Sequence, residues 1–312
     1  MPRSSVTGGY HPEISVPFEQ AWELYHNSFS LCSKKLRVCL DELNLPYRSH
    51  PIDLIETGSY QNVSREFLAI NPAGTVPVLI HEGHPIYESH DQIVYAAMHA
   101  HSLGAQLLPE DPERRSVVDA WVDKASLVGD PMRGRAERAG HCVPGLTFPL
   151  FATTVSRISI PEILKGLLRH PNKERPVAFL LLRLLGIDNF WRVPLFRAAV
   201  AESRDAMETH LDALSEQLQS HGGSWIVGGE FTLADVSWVV ILDRLVEADW
   251  GALFWGEGRR PAVAAYWERL RARPSYASAI EEARATDILE GIEDLRAAKL
   301  GSPALREILE GT

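Results

Sequence analysis

The sequence predicts two domains, an α+β domain followed by an all-α helical bundle. Three observations carry that prediction. Between residues 21 and 101, short apolar strands alternate with short helices in the order β-α-β-α-β-β-α. A linker punctuated by Pro109 and Pro112 follows, over residues 104–112. Beyond it the apolar residues recur at three- and four-residue steps.

In chain order, residues 1–19 mix Ser, Gly, Pro and His without an apolar core and read as a flexible lead-in rather than a secretory signal. Residues 21–26 read as a strand and 27–32 as a small, polar loop. Helical spacing of Leu36, Leu40 and Leu43 predicts a helix over 33–43, stopped by Asn44-Leu45-Pro46. Residues 48–54 suit a second strand, and 63–70 a short helix ended by Asn71-Pro72. Residues 78–81 and 85–87 flank Glu82-Gly83 and read as an antiparallel hairpin. Ser89-x-x-Gln92 has the pattern of a capping box opening a helix over 89–101. Helices are expected over 114–128, from Phe196 through Val200, Met207, Leu211, Leu214 and Leu218, from Thr232, and over 262–271. The domain bounds are 20–103 and 113–285, with a Pro-, Arg- and Leu-rich stretch at 130–195 and an acidic, helical tail at 286–312.

The bulk properties exclude several function classes. With 312 residues, 45% hydrophobic and 23% charged, the composition is that of a soluble globular protein. A net charge of -10 argues against nucleic acid as a partner. No apolar run reaches membrane-spanning length. Cys32, Cys39 and Cys142 form no disulfide framework, which points to the reducing cytoplasm. Lys35 stands three residues after Cys32, so there is no C-x-x-C and any thiol chemistry is monothiol. His81, His84 and His90 span a turn and a helix start and do not converge as metal ligands, so no metal site is expected.

Two stretches carry candidate chemistry. In Asn71-Pro72-Ala73-Gly74-Thr75-Val76-Pro77-Val78-Leu79-Ile80 a turn delivers Val76-Pro77 into a short strand. With a cis bond at Pro77, the Val76 backbone is left outward, free to pair with an extended peptide. In Ser30-Leu31-Cys32-Ser33-Lys34-Lys35, Cys32 lies at the mouth of a helix with two lysines after it. A helix N-terminus and adjacent cations favour thiolate over thiol. The plain alternative is a small buried cysteine beside a serine that caps the helix, and the residues alone leave both open. Thr232 and Asp235 read as a structural capping box.

Those stretches, with Glu88-Ser89, Ser28 to Arg37 and Gly229-Glu230-Phe231-Thr232-Leu233-Ala234-Asp235, together resemble the cytosolic glutathione transferase superfamily over most of residues 20–285. The resemblance implies a thioredoxin-like glutathione-binding domain followed by a helical domain, with glutathione as cosubstrate and a homodimer as the common assembly. Ser30 to Arg37 is similar to the active-site segment of tetrachlorohydroquinone reductive dehalogenases and to zeta-class maleylacetoacetate isomerases. The helical insertion is similar to that of ganglioside-induced differentiation-associated proteins. In the dehalogenases the cysteine matching Cys32 takes glutathione from a glutathionyl-hydroquinone as a mixed disulfide, and the serine matching Ser30 supports the bound sulfur. The implied anchors for the tripeptide are the Val76 backbone beside Pro77, Ser89 for the γ-glutamyl carboxylate and Glu88 for its ammonium. Many relatives hold the glycyl carboxylate with Lys or Gln where this chain has Thr75; Lys35 or a histidine near residue 50 are the substitutes within reach.

The expected function is a glutathione-dependent transferase acting on a small apolar aromatic or quinone-type electrophile, with reductive dehalogenation through Cys32. The alternatives are aryl-ether cleavage, isomerisation through a glutathione adduct, and a non-catalytic scaffold of the same fold. The insertion reads first as an extra core helix over 179–185, and otherwise as a cover for the electrophile pocket, a dimer pad or a membrane contact.

Overall fold

Strands β1 (Gly9–Tyr10), β2 (Trp22–His26), β3 (Arg48–Pro51), β4 (Val78–His81) and β5 (His84–Tyr87) form one mixed sheet in the order β1-β5-β4-β2-β3. A computed structural model describes residues 7–100, 106–130, 133–170 and 173–311. Only β2 and β3 are parallel. A parallel pair needs a crossover, and α1 (Leu31–Glu42) supplies it. The β4–β5 hairpin turns at Glu82-Gly83, both at positive φ, a conformation that glycine adopts without Cβ strain. β4 pairs with β2 in the register Tyr25 to Val78, which places Val76 just beyond the paired edge.

α2 (Arg65–Ile70) and α3 (Ser89–His99) complete this part of the molecule. The helix expected to run to His101 ends at His99, with Ala100 as its C-cap, and residues 101–105 lie outside the described residues. The same is true of residues 1–6 of the lead-in. The rest of that lead-in has a structural place. β1 pairs with β5, Tyr10 stacks on Tyr95 at 5.0 Å, and the Val16 N–H donates to the Gly83 carbonyl.

The helical part holds α4 (Pro112–Lys124), α5 (Ala139–Thr154), α6 (Ile160–Arg169), α7 (Glu174–Leu185), α8 (Pro194–Ser220), α9 (Leu233–Glu247), α10 (Gly251–Trp255), α11 (Pro261–Arg271) and the single turn α12 (Pro274–Tyr276). Two further helices, α13 (Thr286–Gly301) and α14 (Pro303–Glu310), close it. α8 and α9 follow the apolar spacing read from sequence, with Val200, Met207, Leu211, Leu214 and Leu218 buried.

The structure corrects two readings. The stretch at 130–195 is not a uniform insertion. Its first half is α5, buried almost throughout and packed against α8, α9 and α13. Pro144 and Pro149 inside α5 disguise it, since proline is a helix breaker in sequence. Its second half, α6 and α7, is amphipathic, with only Pro176, Phe179 and Leu182 of α7 buried, so α7 is a surface helix rather than a core one. The tail is likewise part of the bundle. α13 lies on α5, where Thr153 Oγ1 donates to the Gly291 carbonyl at 2.7 Å, and α14 lies on α8.

Candidate active site

α1 begins two residues earlier than its apolar spacing suggests, so Cys32 sits in the first turn rather than before it. Ser30 is the N-cap, and its Oγ accepts the Ser33 N–H at 3.3 Å. That bond uses an oxygen lone pair and leaves the hydroxyl proton available to a ligand. The Leu31 and Cys32 N–H groups have no acceptor among the described residues, as expected for the first turn of a helix. Cys32 is half-buried, whereas Cys39 and Cys142 are fully buried. Burial pushes both buried thiols up, Cys142 to about 12. Cys32 is therefore the one cysteine that solvent and a ligand can reach.

The loop entering α1 is fixed on every side. Asn27 Oδ1 accepts the N–H groups of Phe29 (2.9 Å) and Ser30 (3.0 Å), and its Nδ2 donates to the Ile52 carbonyl and Thr57. Arg37 donates to the carbonyls of Asn27 and Ser28, and Arg244 of α9 to that of Phe29. The Arg244 guanidinium also lies 3.6 Å from the centre of the Phe29 ring. Asn27 and Arg244 were invisible as site residues in the sequence, and Arg37 was marked only as the end of the Ser30 to Arg37 segment. Their partners are backbone carbonyls and amides, and no side-chain motif announces those.

The two lysines after Cys32 part company. Lys34 does not face the thiol. Its Nζ pairs with Asp243 and Glu247 of α9, both at 2.6 Å, in a buried cluster shared with Arg244 and Arg284. Lys35 is 1% exposed and forms no hydrogen bond or ion pair among the described residues. Burial lowers its pKa, while the charges of Cys32 and Glu88 raise it. An ammonium buried without a counterion is costly, and this one lies within electrostatic reach of both ends of the candidate site.

The Val76–Pro77 bond is cis, and the Val76 backbone makes no hydrogen bond among the described residues. The preceding turn is held by Asn71, whose Nδ2 donates to the Thr75 carbonyl (2.8 Å) and Oγ1 (3.0 Å), and by Asn62, which donates to the Gly74 carbonyl. Thr75 is exposed. His50 is engaged elsewhere, paired with Glu23 at 2.7 Å and stacked on Tyr25, so it is not a substitute anchor.

At α3 the expected capping box is absent. Glu88, not Ser89, is the N-cap, and Ser89 is the first helical residue. Gln92 instead donates to the carbonyls of Pro77 and Ile86, binding α3 to the Val76 turn. Glu88 has φ 63°, a strained value for a side chain with a Cβ, and its carboxylate is exposed and unpaired among the described residues. Ser89 Oγ also has no hydrogen bond among them. The Thr232–Asp235 box is present as read: Asp235 accepts from Thr232, Ile226 and Tyr266. A crevice of about 550 Å³ at the opposite end of α1, lined by Glu42, Asn44 and Arg273, lies away from all of these groups.

Residues 29–98 match the family model for the glutathione S-transferase N-terminal domain, and residues 197–269 that for its C-terminal domain. The chain carries both glutathione S-transferase domains. It is a transferase enzyme, and glutathione is the cosubstrate of its family. It is 24% identical over 269 residues to tetrachloro-p-hydroquinone reductive dehalogenase of Sphingobium chlorophenolicum, covering 86% of this chain and 96% of that one. It is 25% identical to human ganglioside-induced differentiation-associated protein 1-like 1, covering 88% of this chain and 78% of the relative. Among solved structures, the β-etherase LigF from Sphingobium sp. strain SYK-6 superposes with a TM-score of 0.67 at 21% identity, over 84% of this chain and all of that one. That likeness carries the fold. No described helix is long and apolar enough to cross a membrane.

Proposed function

We propose that this transferase reductively dehalogenates a small aromatic or quinone-type electrophile, using glutathione and a mixed disulfide at Cys32. The observation that carries the proposal is the half-buried Cys32 in the first turn of α1, beside a capping Ser30 whose hydroxyl proton and two neighbouring amides have no acceptor among the described residues.

Glutathione pairs through its own backbone with Val76 as an added strand edge. Its γ-glutamyl carboxylate takes the Ser89 hydroxyl and the first amides of α3, and its ammonium takes Glu88. Ser30 donates to the sulfur and holds it as thiolate. Lys35 supplies positive charge between Cys32 and Glu88, so it serves the sulfur and γ-glutamyl end. Thr75, whose hydroxyl still has a proton to give, is left for the glycyl end.

The glutathione thiolate attacks the ring carbon that bears the halogen. A carbon–sulfur bond forms and the halide leaves with the carbon–halogen electron pair. The Cys32 thiolate then attacks the sulfur of the thioether. A sulfur–sulfur bond forms, the carbon–sulfur pair goes to the ring, and a proton from water completes the reduced arene. A second glutathione thiolate displaces Cys32, giving glutathione disulfide. The halide substrate is reduced and two glutathiones are oxidised. This cycle suits a compartment that keeps glutathione and the chain's three free cysteines reduced.

Incubation of Cys32→Ser with a chlorinated hydroquinone and glutathione tests this. The variant should release chloride but stop at the glutathionyl-hydroquinone. Ser30→Ala should slow chloride release itself by about 10²-fold, the scale of losing one donor to a developing anion. Reduced arene formed by Cys32→Ser at the normal rate would mean that the reaction bypasses the cysteine.

A further inference from the structure

Seven of the fourteen large hydrophobic side chains exposed among the described residues lie between Ile160 and Leu195, a small fraction of the chain. They are not scattered. Ile160, Leu164 and Leu168 recur every four residues along α6, and Val177, Leu181 and Leu184 follow helical spacing along α7. Leu168 is 82% exposed, Leu195 64% and Leu184 63%. Apolar stripes of this kind, on two helices that pack together, mark an interaction site.

The two helices form a hairpin resting on one body. Gly166 of α6 is pressed against the Tyr60 ring, and His170 meets the same ring at 5.9 Å. Phe179 of α7 packs on Phe151 at 5.2 Å, and Arg183 Nε donates to the Ile158 carbonyl at 2.9 Å. With the inner faces committed, both apolar stripes point outward.

Charge identifies the occupant. Residues 160–197 carry seven Lys or Arg against three Asp or Glu, a net of +4, so the rest of this -10 chain carries -14. Arg169 at the end of α6, and Arg192 and Arg197 after α7 in the chain, are exposed. A two-fold contact between copies would set this positive face against itself. The stripes are entirely Ile, Leu and Val, without the Trp or Tyr anchors that dominate protein interfaces. Aliphatic stripes accompanied by basic residues on amphipathic helices fit the headgroup and acyl boundary of an anionic bilayer.

We propose that the α6–α7 hairpin is a peripheral docking face for anionic lipid surfaces. The acidic remainder of the molecule turns away from the same surface, so docking is oriented. This inference is independent of the reaction assigned to Cys32.

Co-sedimentation with phosphatidylcholine vesicles, with and without phosphatidylserine, tests it. The wild-type chain should pellet only with vesicles containing phosphatidylserine and be released as salt rises. Leu168→Glu with Leu184→Glu, and separately Arg169→Glu with Arg197→Glu, should each weaken binding by about tenfold or more. All four positions are exposed, so both variants should keep the wild-type circular dichroism and glutathione binding. Wild-type protein that stays in solution with phosphatidylserine vesicles would overturn the proposal. So would pelleting indifferent to lipid charge, or a face whose substitution lowers the oligomer mass in light scattering without changing vesicle binding.

Discussion

His26 shows how closely the entrance to α1 is controlled. Arginine has only donors, so Arg37 at 3.1 Å obliges His26 Nδ1 to accept, and Nε2–H then donates to Ser49 Oγ at 2.7 Å. Burial, then Arg37 and His50, push its pKa down from 6.5 to about 3. The unfolded chain therefore binds a proton that the folded chain refuses. Stability from this group is complete above pH 6.5 and is lost as pH falls toward 3. Glu247 adds to the trend. Burial raises its pKa, but Lys34, Arg244 and Arg284 together pull it below the usual range, so its contribution is also lost in acid. Urea unfolding at a series of pH values should show about 2–4 kcal/mol less stability at pH 4 than at pH 7 from His26 alone. His26→Gln can make both hydrogen bonds and cannot titrate, so it should flatten the curve between pH 6.5 and 4. An unchanged slope in that variant would assign the acid sensitivity to the carboxylates.

At the scale of elements, α5 depends on two glycines that its prolines conceal. A Cβ on Gly145 would collide with Ser203 Oγ and lie 2.6 Å from the Ala199 carbonyl oxygen of α8. One on Gly140 would lie 2.7 Å from the Ala125 carbonyl oxygen and collide with that of Ser126. Backbone cannot move aside as a side chain can, so Gly145→Ala should cost about 1–3 kcal/mol, read as a lower thermal midpoint. Gly301→Ala, at a helical position where a Cβ meets nothing within 4 Å, should not lower it. Equal midpoints for the two variants would show that α5 and α8 can separate cheaply.

The same contrast explains what sequence makes legible. The strands, α1, α3, α8 and α9 follow from period-2 and period-3.6 spacing, because each buries a face against a neighbour. α5 is buried all round, so it has no amphipathic period to read, and it contains Pro144 and Pro149 besides. β1 is two residues long and exists only through pairing with β5. In the candidate site, Ser30, Cys32, Val76, Glu88 and Ser89 stand out as side chains or turns with local signatures. Lys34 and Lys35 look alike in sequence, and only the fold sends one to α9 and leaves the other beside Cys32.

At the scale of the whole molecule, the candidate site is held by both halves of the chain. Asp243 and Glu247, one turn apart on α9, receive Lys34 from α1 and Arg284 from the segment before α13, and Tyr276 donates to Asp243 at 2.8 Å. Three cations, Lys34, Arg244 and Arg284, thus share two carboxylates, a buried network in which an unpaired member is expensive. Through Arg244 it reaches the Phe29 carbonyl, and through Arg37 and the Ala279 carbonyl a second tie joins the same loop to the helical part. The position of Ser30 and Cys32 is therefore set by contacts made more than 200 residues away in sequence.

The proposed reaction turns on a sulfur exchange at the head of α1, and peptide mass spectrometry reads that exchange directly. The enzyme is turned over with a chlorinated hydroquinone and limiting glutathione, then quenched in acid. A glutathionyl disulfide should appear on Cys32, be absent from Cys39 and Cys142, and disappear when glutathione is in excess. Reduced arene accumulating at the full rate while Cys32 stays unmodified would contradict it.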